Sequence, residues 1–413
     1  MALTARYEQI TGVRLHEQMP AMLVALGHGS THWIGTAFYM LLPWIREDLG
    51  INYLLAGSLV AATHLSSLLA NFGSSALTDV TGRRILILCF SLVLGALALI
   101  GTSFIDHPLE LGILIAVAGA TGHVWHPAAI SYLSRLYPNQ RGFALSAHSL
   151  GASLGDTMAP LILGMLLSVM LWKTAAFSSG LPVFGVVILL WWILGREENP
   201  ENRFSETGAW RHYFKNLKKL GRHKPLILLS LVSGFHGAAQ TGLMMFIPIY
   251  LADDLNAGSM ITGLGFAALQ IGGVVAAPIT GLLSDRLGRK PIILFSLAGS
   301  TLMTALMAMA DQIEFFIPCV LILGFLLFAV RPVEHSWCMD LAPKAMAGSA
   351  IGILFGVASV FAMLTPPITG AVADEWGISQ VFWMISMLVL ISTVFAILVP
   401  GRIPEKTDDS ANI

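Results

Sequence analysis

Gly281-Leu-Leu-Ser-Asp285-Arg286-Leu-Gly288-Arg289-Lys290-Pro291 decides how this chain is read, because the chain carries it twice. A worn copy, Ser75-Ala-Leu-Thr-Asp79-Val80-Thr-Gly82-Arg83-Arg84, lies 206 residues earlier. In both, an apolar run ends on an acid, a glycine and two cations follow, and a second apolar run begins. The same offset, within one residue, pairs Gly57 with Gly263, Pro127 with Pro332, Pro138 with Pro343 and Gly142 with Gly348. It also pairs Pro160 with Pro366 and Gly164 with Gly370. One register held over five separate segments is an internal duplication, with both halves laid out in the same direction.

The flanking runs set the fold class. Of 413 residues 55% are hydrophobic and 11% charged, against about 25% charged in soluble chains. A spanning helix needs roughly 20 mostly apolar residues. Twelve segments meet this, at 21–45, 52–78, 85–104, 109–134, 142–170, 174–195, 225–252, 259–284, 291–310, 314–338, 346–372 and 379–399. The chain is therefore expected to be an all-α integral membrane protein, with bundles at 1–195 and 225–413 joined by a basic linker, 196–224. Twenty of the 23 Lys and Arg fall at the termini and in the even-numbered connections. Cationic loops stay on the cytoplasmic side, which places both termini there. The first 20 residues lack the apolar core of a cleaved signal. A formal net charge of −1 leaves no footprint for nucleic acid, and Cys89, Cys319 and Cys338 have no CxxC spacing.

The 281–291 stretch resembles the signature loop of the major facilitator superfamily nearly letter for letter, and the duplication and basic linker extend that resemblance over almost the whole chain. It implies two six-helix bundles around a central cavity lined by helices 1, 4, 7 and 10, and a non-enzymatic transporter working by alternating access. It also implies gating roles for Asp79, Gly82, Arg83, Arg84, Asp285, Arg286, Gly288, Arg289 and Lys290. In the first copy Ser75 replaces the family's glycine and Val80 its arginine. Gly151-Ala-Ser-Leu-Gly155-Asp156-Thr-Met-Ala159-Pro160-Leu-Ile-Leu-Gly164 is similar to the helix 5 motif of drug/proton antiporters, with Ala159 where that motif has glycine. Gly27-His28, Leu42-Pro43 and His126-Pro127 resemble exporters of the fosmidomycin-resistance type, which carry an acid where His32 stands.

Ionisable groups at mid-bilayer cost several kcal/mol unless they face a cavity or a partner, so those present are candidates for function. Asp156 lies halfway along helix 5. Arg331 and Glu334, three apart on helix 10, share a face and are expected to pair. His28/His32 and His123/His126 stack on single faces of helices 1 and 4. Asp156, Glu334, His28 and His126 are the candidates for proton coupling. Arg331, Glu334, His32, His123, His335, His236 and Gln240 are the candidates for lining the cavity. Imidazole also suits transition metals, but no Cys or carboxylate accompanies the histidine pairs in sequence, and no metal site is expected. There is no GxSxG, Walker loop or HExxH. The expectation is a monomeric, proton-coupled exporter of a small organic solute in the bacterial-type inner membrane, without a cofactor. Uptake of an organic anion is the alternative, and a membrane sensor that binds without translocating is a third.

Overall fold

A computed structural model describes residues 8, 12–195, 223–342 and 346–401. Twelve long helices make up nearly all of it. They are α1 (Met19–Leu49), α2 (Tyr53–Thr81), α3 (Arg84–Gly101), α4 (Pro108–Leu136), α5 (Arg141–Leu167) and α6 (Trp172–Leu194). The second six are α7 (Lys224–Ile249), α8 (Ser259–Leu287), α9 (Arg289–Met307), α10 (Ile313–Leu341), α11 (Ala347–Trp376) and α12 (Ile378–Leu398). Helices satisfy every backbone polar group within one segment, which lipid demands. Most of the linker, 196–222, lies outside the described residues, as does the side chain of Asp79.

Eleven of the twelve are long and apolar enough to cross a membrane, and α1 is the exception. Its middle, Gly27-His-Gly-Ser-Thr-His32, dilutes an otherwise apolar helix. That polar stretch is turned inward, with His28 and Ser30 buried. The outer surface of the bundle, by contrast, exposes large apolar residues such as Leu69, Phe90, Ile188, Trp192 and Phe295.

Within the first half α1 packs on α5 and α6, and α4 on α2 and α3. The second half repeats this with α7 on α11 and α12, and α10 on α8 and α9. The halves meet along α2–α11 and α5–α8. The duplicated loop forms the same turn twice. Gly82, at φ 64°, ends α2, and Gly288, at φ 94°, separates α8 from α9. Both conformations are costly for a residue with a Cβ. These turns, the start of α1 and the end of α12 share one end of the bundle, the near end. The other is the far end.

Candidate functional site

Small residues on α1 and α5 create the site. A Cβ on Gly151 would overlap the Ala25 carbonyl, and one on Gly155 the Gly29 carbonyl. Backbones this close are the reward of the small-xxx-small pattern in membrane helices. The polar side chains beside the seam are thereby brought together. His32 Nδ1 lies 2.9 Å from Asp156 Oδ2, and the Thr36 hydroxyl donates to Asp156 Oδ1 at 2.6 Å.

One turn nearer the N-terminus of α1, His28 Nδ1 lies 2.7 Å from the His148 carbonyl. A carbonyl only accepts, so the His28 proton sits on Nδ1 and the lone pair on Nε2. That Nε2 is buried without a partner. The His148 ring stacks on His28 with centroids 3.6 Å apart, and its Nε2 accepts from the Trp125 indole at 3.2 Å. His126 approaches His28 edge-on at 5.0 Å. A Cβ on Gly27 would strike the Trp125 ring, so this glycine is what lets α4 close on α1.

Facing the seam is a cavity of about 250 Å³. Ser153 and Asp156 of α5 line one side, and Gln270, Gly273, Phe328, Arg331 and His335 of α8 and α10 the other. Arg331 is exposed to this space, and its Nη2 donates to Gln240 Oε1 of α7 at 2.9 Å. Glu334 does not form the expected ion pair with it. Its side chain is 2% exposed, with Ser233 as hydrogen-bonding neighbour and Oε1 unpartnered. Residues three apart on a helix can part when one side chain reaches a partner across the cavity and its neighbour turns into the packing.

The remaining histidines separate by surroundings. His335 lines the cavity and packs edge-on against Phe355 at 5.0 Å. His236 is fixed in the second half, its Nε2–H donating to the Leu327 carbonyl at 2.9 Å. His123 lies 3.4 Å from the Gly119 carbonyl of its own helix. Thr36, Ser153 and Gln270 belong to the site, although the sequence reading does not single them out. The Gly151-xxx-Gly155 spacing is the available signal for the seam.

At the far end the halves are closed by contacts that repeat the duplication. A Cβ on Gly57 would overlap the Pro366 carbonyl, and one on Gly263 the Pro160 carbonyl. Likewise Gly370 faces the Tyr53 carbonyl and Gly164 that of Ser259, one repeat apart. A polar latch lies over them. The Arg46 Nη2–Asp253 Oδ2 ion pair measures 2.5 Å, with Arg46 4.3 Å over the Tyr53 ring. The Tyr53 and Leu54 amides of α2 donate to Asp374 of α11 at 2.9 and 2.8 Å. A π turn at Tyr250–Asp254, continuing α7, carries Asp253 to this position. Asp253→Ala is expected to weaken far-end closure by about 1 kcal/mol, a shift of roughly fivefold between states. Spin labels at Asp48 and Asn256 would show it as a longer-distance population, and an unchanged distribution would refute it.

At the near end, Arg289 is engaged within its own half. It pairs with Asp285, with Asp340 at 3.1 Å, and donates to the Ser284 hydroxyl at 2.7 Å. Lys290 donates to the Ile397 and Val399 carbonyls that end α12. Arg84 donates to Ser131 on α4 at 2.8 Å, while Arg83 and Arg286 are exposed.

The family model of the Major Facilitator Superfamily matches residues 24–263 and 229–412. A multidrug resistance protein MdtG of Proteus mirabilis is 23% identical over 371 residues, 88% of this chain and 92% of that protein. The MdtG of Klebsiella pneumoniae is 33% identical over 165 residues, so the match spans 39% of this chain and 40% of that relative's length. Among solved structures, a bacterial homologue of the human lysosomal transporter Spinster, inward-facing and unoccupied, superposes with a TM-score of 0.79. It is 15% identical, covering 94% of this chain and 97% of that one. The nucleoside transporter NupG gives 0.76 at 14% identity, covering 92% and 98%. The duplicated loop, the paired six-helix halves around a cavity that holds Asp156 and Arg331, and the family match over residues 24–412 together make this chain a member of the major facilitator superfamily, a membrane transporter and not an enzyme.

Proposed function

We propose that the protein exports a small organic solute across the bacterial-type inner membrane in exchange for protons, with both termini cytoplasmic and one chain as the working unit. The observation that carries this reading is the shared cavity. Asp156, held by His32 and Thr36 on the first half, lines the same 250 Å³ as Arg331 on the second. A proton on the carboxylate and a solute in the cavity then compete for one space, which is what exchange requires. The buried Glu334 is the second candidate carrier, and His28 and His126, grouped with the His32 that holds Asp156, are the candidate relays. Far-end closure supports an inward-open state, given the charge bias that places the near end in the cytoplasm. The multidrug resistance name borne by the MdtG relatives supports export. No cofactor enters this scheme, because an ion gradient supplies the energy.

Everted vesicles test it. With the lumen acidified, an exchanger accumulates solute and a symporter does not. Accumulation that requires the opposite gradient would overturn export.

A second reading concerns the solute's charge. Arg331 has a neutral amide oxygen as its partner, and a guanidinium stays charged at any working pH. An anionic group on the solute would complete it bidentately, geometry that lysine lacks. Arg331→Lys is then expected to weaken an anionic ligand by about tenfold or more, read by isothermal titration. Normal anion binding in Arg331→Met would refute this and leave Arg331 a residue that positions α10 against α7.

A further inference from the structure

We propose that His28, His32 and His126 form a binding site for a divalent first-row transition cation of the zinc class. Each contributes one ring nitrogen, and the three nitrogens lie within 4.8 Å of one another. The rings of His32 and His126 both stand nearly perpendicular to His28, at 88° and 83°, with centroids 4.7 and 5.0 Å away. A tetrahedral zinc site holds nitrogens at 2.0–2.1 Å from the metal, which sets them about 3.3 Å apart. Side-chain rotation on α1 and α4 closes the difference.

The surroundings of the trio point to a metal more strongly than the trio itself. Histidine ligands nearly always give their other ring N–H to a carboxylate or backbone carbonyl, which fixes the tautomer and aims the lone pair. Both arrangements occur here. His32 presents Nδ1 to the Asp156 carboxylate, and His28 presents Nδ1 to the His148 carbonyl. Each leaves Nε2 as the free lone pair. The Nε2 of His28, a residue only 4% exposed, has no partner. A buried acceptor left unpaired costs free energy comparable to a lost hydrogen bond, and a bound cation would recover it. The stacked His148 ring, itself held by Trp125, keeps His28 from turning away.

The donor set selects the ion. Three neutral imidazoles suit zinc, copper or nickel, whereas magnesium and calcium require oxygen ligands. Cys89, Cys319 and Cys338 lie on other helices and offer no thiolate. The His32 side chain is 34% exposed, which leaves the fourth coordination position accessible from outside the packing. The sequence shows two histidine pairs on separate helices without a carboxylate. Packing merges the pairs and supplies Asp156 behind one ligand.

The inference concerns binding and stands apart from the proposed export. A cation at this position ties α1 to α4 behind Asp156, which lines the cavity, and zinc is expected to inhibit solute flux. The test uses the full-length protein in detergent, with any affinity tag removed, titrated with zinc against a competing chelator. His28→Gln and His126→Gln should each weaken zinc by at least about tenfold, as outer-shell losses alone reach about 10- to 100-fold. His335→Gln, on the opposite wall, should bind zinc as the parent does. Cobalt should give the intense visible bands of a tetrahedral nitrogen site in the parent and lose them in His126→Gln. Zinc should raise the melting temperature of the parent, and magnesium should not. Zinc affinity unchanged in the His28→Gln/His126→Gln double variant, or no zinc binding by the parent, would overturn the site. Loss of export with zinc affinity intact would bear only on the transport reading.

Discussion

Asp156→Asn is expected to bring pH-driven flux to background while leaving solute binding and solute–solute exchange close to normal. The asparagine oxygen can still accept from Thr36, now 2.6 Å from Asp156 Oδ1. Its amide cannot ionise, so the cavity is fixed in the form that the protonated acid would take. His32 simultaneously loses the carboxylate that holds its Nδ1. Net accumulation should therefore vanish at every pH rather than shift its optimum. Reconstituted vesicles with an imposed gradient measure the first quantity and counterflow the second. A variant that still accumulates solute against a proton gradient would make Asp156 a packing residue and send the coupling elsewhere, with Glu334 next in line.

The double change Gly57→Ala/Gly263→Ala is expected to trap the transporter open at its far end and stop transport. At either position a Cβ would overlap a backbone carbonyl of the other half, and a carbonyl inside a helix has little room to retreat. Overpacking of this kind costs about 1–3 kcal/mol per site. The two seams share no partner, so the costs add to about 2–6 kcal/mol and shift the balance of states well beyond tenfold. Only the closed far end bears the cost, so solute binding persists. An impermeant maleimide applied from the far side should label a cysteine at Ser153 faster in the double variant. Gly35→Ala serves as control, because nothing lies within 4 Å of its added carbon. Wild-type transport rates in the double variant would refute the gate.

The repeat and the apolar runs carry enough information to fix twelve helices and two matching halves. Hydropathy is a property of each segment, and a duplication appears in sequence register without reference to space. The exception, α1, shows the limit: the polar residues that lower its hydropathy are those of the site. Asp156, His28 and His32 were legible as costly residues in lipid, but their pairing was not. It depends on Gly29, Gly151 and Gly155 bringing two backbones together, which is a tertiary outcome. Arg331 and Glu334 failed the opposite way. Their spacing promised a pair, but Arg331 bonds Gln240 on α7 while Glu334 is buried in the packing. Arg46 and Asp253 lie on either side of the linker, and no local pattern announces their contact.

The far-end contacts also bear on symmetry. Gly57 meets Pro366, which stands one repeat beyond Pro160, and Gly263 meets Pro160 itself. Two copies of the first half, related by a twofold axis, would thus set Gly57 of each against Pro160 of the other. Tyr53 and Gly164 would pair in the same way, matching Ser259–Gly164 and Tyr53–Gly370 in the present chain. Even the latch survives the substitution of halves, since Glu47 stands one repeat before Asp253 and offers Arg46 the same charge. Such a surface is self-complementary, as an isologous dimer interface must be. The gate thus has the form of an isologous interface between two like halves, while the cavity walls differ, one carrying Asp156 and the other Arg331.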